Sequence, residues 1–430
     1  EPASASFGGV VTTGTQTFAG RKIFNGYITI AGGTATAGTA PLKFTSGTNL
    51  TIAEEGAMEY NGSSLFFTRS GTLRAGLLMT DIASPFNTYD KASKGATVFT
   101  TGTWNTLIGS GAGNALTTGT SNVYIGFQAG SGNVSTSDVV SIGYHAGYGA
   151  TSASNSNFFG AGAGKNSINS SNSNFFGYLS GMDSANSPGS NFFGWRTGGY
   201  SNEYSNHLGY GAGSFSSTSG YTNFLGQYAG YQAVGSSNSN FFGYQAGRGV
   251  TSASNSNFFG QNAGFGATGA LDCIAIGTSA GRATSGAIES IFIGKNTGYN
   301  TAGVLSGDYN IAIGSTTFRT TTTGSKNVVI GYNIDIQTIT GDGQLTIQNA
   351  IFGTGNTGTG TTASTGNIGI YIPAPSARLH LPAGTATANT APLKLTSGTN
   401  LITPENGALE YDGTNLYFTT GGERNTIQLI

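Results

Sequence analysis

Charge is what this sequence has least of. Of its 430 residues, 17 are Lys or Arg and 18 are Asp or Glu, or 8% together, against about 25% in an ordinary soluble domain. The net charge of -1 supplies no basic footprint for nucleic acid. The single cysteine, Cys273, excludes an internal disulfide framework and any cysteine-rich metal site. No apolar run approaches the roughly 20 residues that a membrane helix needs. Helix formers are scarce too, so helices are not expected. The chain opens EPASASFGG, with neither Met nor a signal peptide, and is read as a processed product, a fragment or the ordered part of something longer. Low charge with high polarity is also a signature of disorder, but a regular period argues against that.

What is present in quantity is glycine, 72 residues, together with Ser, Thr, Asn and aromatics, a mixture that suits strands joined by tight turns. The glycines keep time. Taking the Gly that closes each "FFG", "AIG" or "VIG" as an anchor gives Gly109, Gly126, Gly143, Gly160, Gly177, Gly194, Gly209, Gly226, Gly243, Gly260, Gly277, Gly294, Gly314 and Gly331. The spacing is 17 residues, except for 15 between Gly194 and Gly209 and 20 between Gly294 and Gly314. The position before the anchor is always apolar, as in Ile108, Phe159, Phe176, Phe193, Leu208, Phe242, Phe259 and Ile330. Three before the anchor, outer copies carry Val123, Val140, Ile274, Ile291, Ile311 and Val328, and the middle copies carry Asn157, Asn174, Asn191, Asn206, Asn223, Asn240 and Asn257.

A seventeen-residue unit cannot enclose its own core, whereas stacked units bury a continuous one. The expected fold is therefore all-β: a parallel β-solenoid of about 14 coils, like residues stacking about 4.8 Å apart over roughly 65 Å. The Asn residues would form an amide ladder along the axis; the competing reading is that they sit in turns. Side chains alternate faces along a strand, so both faces of Asn-Phe-Phe-Gly carry apolar groups. The middle position (Phe158, Phe175, Phe192, Phe224, Phe241, Phe258 and Phe292) is assigned to the outward face. A column of exposed rings exceeds what monomers tolerate, and the simplest cover is a further copy of the chain around a shared axis; cover by the flanking segments is the alternative. Phe127, Tyr144, Tyr178, Trp195, Tyr210, Tyr244 and Tyr332 follow the anchor and are expected on that same outward face. They are candidate surface contacts, for packing at an oligomer interface or for stacking on sugars.

A second repeat brackets the first. "GTATAGTAPLKFTSGTNL" from Gly33 recurs as "GTATANTAPLKLTSGTNL" from Gly384, an offset of 351, and "GAMEYNGSSLFFT" from Gly56 recurs as "GALEYDGTNLYFT" from Gly407. Asn61-Gly62 and Asp412-Gly413 are hairpin turn signals. The organisation reads as an N-terminal β-module (1–74), a linker (75–104), the solenoid (105–334), a Gly/Thr-rich transition (335–372) and a C-terminal β-module (373–430) that repeats 33–68.

"VVTTGTQTFAGRKIFNG" (Val10 to Gly26) resembles segments of phage tail fibre proteins, and the stretch from Asn367 to Ile427 is similar to a module that precedes a C-terminal chaperone domain in many such fibres. "CIAIGTSAG" and "NIAIGS" resemble the head repeats of trimeric autotransporter adhesins, although those are usually shorter and here "NFFG" predominates. The resemblance implies an intertwined homotrimer located on a virion tail fibre or another extracellular surface. It implies a structural and attachment role, with other fibre components and a host cell-surface glycan or protein as partners. A bacterial surface adhesin is one alternative, and a β-helical polysaccharide depolymerase is another.

Little points to catalysis. His145, His207 and His380 are far apart, and the first two occupy different positions of the repeat. Asp272 and Glu289 lie one period apart and would stack, but read as a solvated edge or an incidental cation site. The Gly-rich runs follow the period and lack the Lys of a phosphate loop. No enzyme activity, catalytic residue, cofactor or metal site is expected.

Overall fold

The computed structural model describes residues 23, 27–30, 32, 40–62, 65–70, 73–76, 79–80, 87–89, 101–200, 202–299, 305–320 and 323–428. Apart from Ile23, the tail-fibre-like segment Val10 to Gly26 lies outside the described residues, as do 33–39 of the first module and much of the 75–104 linker. The chain divides into two units, Glu1–Leu77 and Leu78–Ile430.

The second unit is a parallel β-solenoid. Strand β4 (Met79–Thr80) pairs antiparallel with β5 (Thr88–Tyr89), which opens a parallel ladder. The ladder continues through fifteen three-residue strands, from β6 (Thr106–Ile108) to β20 (Leu345–Ile347). Each strand pairs with the next in chain order, and like sits on like: Asn240 on Asn257, Phe241 on Phe258, Phe242 on Phe259. A second, thinner line of parallel bridges runs from Thr151 to Ile168 to Ala185 and, further along, from Tyr200 through Ser217, Val234, Thr251 and Thr268 to Ser285. Beyond β20 the chain turns back. Strand β21 (Ile351–Thr354) pairs antiparallel with it, followed by β22 (Asn367–Ile370) and β23 (Leu379–His380). Antiparallel strands thus cover both ends of the ladder, where naked edges would invite pairing with other chains.

The anchor glycines fix the approach of one coil to the next. A Cβ on Gly160 would stand 2.6 Å from the carbonyl oxygen of Gly177, and on Gly260 as close to that of Gly277. Left-handed backbone recurs through the coil. In the unit that starts at Gly160, φ is positive at Gly160, Gly162, Gly164, Asn166, Asn169 and Asn172. Glycine and asparagine are the residues that adopt this conformation at least cost, which accounts for the composition.

The middle Phe column faces inward, opposite to the expected outward placement. Phe158, Phe175, Phe192, Phe224, Phe241, Phe258 and Phe292 are all buried to within 1%, and Asn257 and Phe259 flank Phe258 on the outside. The expectation failed because it continued strand alternation through the anchor. Gly160 has φ +127 and Gly243 +137, which turns the chain out of the strand, so the exposed residue after the anchor says nothing about the face of the residue two before it. Inside, Phe175 lies on Phe192 at 4.8 Å and 5°, and Phe241 on Phe258 at 4.9 Å and 8°.

Beside the inner rings runs a buried polar row. Ser156, Ser173, Ser239 and Ser256 each donate to a carbonyl fourteen residues on, at 2.6–2.8 Å. Each also accepts a backbone N–H from the next coil, at 3.1 or 3.2 Å. Towards the ends, Asn takes over the slot: Asn122 donates to Asn105, and Asn310 accepts from the backbone of Asn327. No polar group in these contacts is left dry and unpaired. Coils of unusual length keep the ladder in register, with Asn191 on Asn206 and Ile291 on Ile311; the missing or extra residues are absorbed between strands.

The duplicated modules fold alike. In the first, β1 (Met58–Tyr60), β2 (Leu65–Ser70) and β3 (Leu73–Gly76) form an antiparallel sheet. In the second, β24 (Leu409–Tyr411), β25 (Leu416–Thr420) and β26 (Glu423–Thr426) do the same. Bonds recur at the offset of 351. Leu50 N–H donates to Glu59 Oε1 and Leu401 N–H to Glu410 Oε1, both at 2.6 Å. Tyr60 and Tyr411 donate their hydroxyls to the carbonyls of Gly62 and Gly413, both at 3.0 Å. In the second copy, Arg424 also pairs with Glu410 at 2.8 Å, which holds that half-buried carboxyl below the usual range.

The inward placement has a measurable result. Phe241→Ala should cost about 3–5 kcal/mol in chemical denaturation, and Phe241→Asp should prevent the central coils from folding. The corresponding changes at half-exposed Phe242 should leave the circular dichroism of the solenoid in place.

Candidate functional site

Along the described coils of the solenoid, what recurs is side-chain columns, and four face outward. The first is the Asn ladder. Six amide-to-amide bonds, each from Nδ2 to the Oδ1 one coil on, join Asn157, Asn174, Asn191, Asn206, Asn223, Asn240 and Asn257 at 2.7–2.9 Å. The ladder reading therefore holds over the turn reading. Each bond is worth about 1 kcal/mol net, and consecutive dipoles polarise one another.

The second column stands two residues along the same face. Phe159 lies on Phe176 at 4.8 Å and Phe176 on Phe193 at 4.9 Å, both at 7°. Leu208, Leu225, Phe242 and Phe259 continue the row. These side chains are half-buried or exposed; Phe193 is 38% exposed and Leu208 52%. The apolar stripe that the sequence required is thus present, one residue away from where it was expected.

The third column consists of aromatics after the anchor. Tyr144, Tyr178, Trp195, Tyr210 and Tyr244 are all exposed. They do not make one continuous platform, because Ala161, Gln227 and Gln261 interrupt them. Phe127 stacks on Tyr144 at 5.5 Å, Tyr178 on Trp195 at 6.2 Å, and Trp195 on Tyr210 at 4.5 Å and 4°. The faces within each stack cover one another, so what these rings offer a partner is chiefly their edges. That geometry suits packing better than the face-on stacking that sugars use.

Sequence reasoning missed the fourth column, five residues after the anchor. From Tyr231 it reads Tyr231, Arg248, Phe265, Arg282, Tyr299, Arg319. Each guanidinium lies against rings on neighbouring coils: Arg248 is 5.3 Å from the Tyr231 centroid and 5.7 Å from Phe265. Arg282 is 5.0 Å from Phe265 and 5.1 Å from Tyr299, and Arg319 is 5.9 Å from Tyr299. The signal was available, because alignment on the anchors puts aromatic and Arg in strict alternation.

The histidines do not meet. His207 occupies the inner Phe slot, sandwiched between Phe192 at 4.8 Å and Phe224 at 4.6 Å. Its Nε2 is 3.2 Å from Thr222 Oγ1, and Nδ1 has no partner. Burial pushes its pKa down to about 3, so the ring is neutral at physiological pH. His145 stacks on Tyr144 at 4.0 Å, and partial burial and then the Lys165 charge lower its pKa. Cys273 fills the slot taken by Ser256 and Ser290 in neighbouring coils and donates to the Ala287 carbonyl. Burial pushes its thiol up to about 11, which suppresses the nucleophilic thiolate. Asp272 and Glu289 are exposed, one coil apart. Among the described residues, no group of three or more His, Cys, Asp or Glu could hold a metal ion, and no helix is long and apolar enough to cross a membrane.

The chain matches no protein-family model, no curated protein and no solved structure.

The His207 environment predicts a pH dependence. Its folded pKa lies below the free value of 6.5, so its contribution to stability is intact above about 6.5. Below that it falls by about 1.4 kcal/mol per pH unit, towards pH 3. His207→Phe completes the inner Phe stack; its melting temperature should exceed that of the parent by a margin that widens from pH 7 to pH 4.

Proposed function

We propose that this chain is a structural fibre protein that acts as a homotrimer, of the phage tail-fibre kind, in which the solenoid is a stiff spacer and the end modules join neighbouring fibre parts or contact the host surface. The observation that carries the reading is the outward apolar column from Phe159 to Phe259. Contiguous apolar surface of this kind marks interaction sites in soluble proteins. The column's side chains repeat once per coil, so a partner that matches it along its length needs the same repeat. Another copy of this chain has it by construction. The edge-on aromatics Tyr178, Trp195 and Tyr210 supply further contact area for such packing.

The modules support the same reading. Equivalent apolar residues are exposed in both copies: Leu42 and Leu393, Leu50 and Leu401, Met58 and Leu409, Phe67 and Phe418. Small sheets that leave the same face uncovered in both copies suit cover by neighbouring subunits. The number three rests on the resemblance of the "AIG" coils and the terminal modules to trimeric fibres.

The mass of the native particle tests the proposal. Three times the chain mass of 43.5 kDa is expected, and a monomer would overturn the reading. Phe176→Asp with Phe242→Asp should lower the native mass while the β-sheet spectrum persists; a trimer unaffected by the pair would remove the outer column from the interface.

A further inference from the structure

We propose that the alternating Arg and aromatic column is a binding track for a linear acidic polysaccharide that carries one carboxylate or sulfate on every second sugar. This goes beyond the spacer role and uses a different row of the coil from the outer Phe column. The guanidinium groups of Arg248 and Arg282 are the central cations of the track. Each is held between rings of neighbouring coils, Arg248 by Tyr231 and Phe265, Arg282 by Phe265 and Tyr299. Among the described residues, neither has a carboxylate partner or a hydrogen bond. A planar cation clamped by its faces keeps its N–H donors at the edge. Those donors are pre-oriented, so a ligand loses less conformational entropy in ordering them.

Spacing then selects the ligand. Arg248 and Arg282 are two coils apart, and so are Arg282 and Arg319, which places successive cations about 10 Å apart along the axis. Two sugars of an extended polysaccharide advance by a comparable distance, so one acidic group per disaccharide meets one guanidinium per two coils. Nucleic-acid phosphates come much closer together along each strand, about 3.4 Å, and most would face the uncharged rings. Arg319 is the end of the track and is already engaged, its Nε donating to the Tyr299 carbonyl at 3.4 Å. Arg248 and Arg282 carry the main contact. Bidentate recognition of a carboxylate or sulfate by a guanidinium edge is geometrically favoured.

The test uses the full-length native protein and hyaluronate, which has one carboxylate per disaccharide, with dextran and single-stranded DNA as controls. Hyaluronate should bind in a salt-sensitive manner, and dextran should not. Arg282→Gln should weaken binding about tenfold, and Arg248→Gln with Arg282→Gln about a hundredfold. Arg282→Lys keeps the charge but loses the fork, and should fall between the parent and Arg282→Gln. Phe265→Leu leaves every charge in place but releases the clamp, and should weaken binding severalfold. Unchanged melting temperature and native mass in these variants ensure that folding and assembly are not what is being read. The proposal is overturned by no hyaluronate binding, by equal binding of dextran, by tighter binding of DNA, or by a folded Arg248→Gln, Arg282→Gln double variant that binds as the parent does.

Discussion

The rest of this structure depends on how closely one coil approaches the next at the anchor glycine. With only hydrogens at Gly160 and Gly177, the backbones meet where any Cβ would collide, and strand pairing locks the strand residues of one coil over the same residues of its neighbour. Everything else follows from that register. Phe stacks on Phe at the strand spacing, Asn reaches Asn at hydrogen-bond distance, and Ser156, Ser173, Ser239 and Ser256 find equivalent carbonyls and equivalent N–H groups. The solenoid is stabilised by one small set of contacts made again in each coil, which is how quasi-one-dimensional folds accumulate stability.

The period and the parallel stacking were legible in the sequence because fourteen anchors recur at near-constant spacing, and no ordinary globular pattern does this. The hairpins at Asn61-Gly62 and Asp412-Gly413 were legible in place from apolar alternation around a turn dipeptide, but not in turn type: Tyr60 pairs with Leu65 and Tyr411 with Leu416, and φ is positive at each Gly but not at the residue before it. The facing of the strand was not. Both Phe of Asn-Phe-Phe-Gly are equally apolar, so hydrophobicity could not decide which one turned inward, and alternation misled once it was carried through a glycine at φ near +130. The clue lay elsewhere in the coil. Position four after the anchor is Gly in most copies, including Gly130, Gly164 and Gly247, because a side chain there would run into the inner ring.

The candidate surfaces show a similar division. The Asn ladder was visible as a column of one residue type. The Arg and aromatic column was hidden because its order appears only when chemically different residues are read down the axis, not along the chain. His207 was hidden for the opposite reason: in "NHLG" it occupies a slot that its neighbours fill with Phe, and a search for histidine clusters passes over a histidine that behaves as an aromatic ring. Cys273 is a parallel case, a sulfur in a row of serine hydroxyls.

The like-on-like register also shapes how such a chain can change over evolutionary time. A duplication or loss of one whole seventeen-residue unit leaves every remaining residue over a compatible neighbour, so the gene can lengthen or shorten in quantal steps by recombination between near-identical coils. Ser237 to Gly260 and Ser154 to Gly177 each contain two adjacent copies of the same words, the identity that such recombination requires.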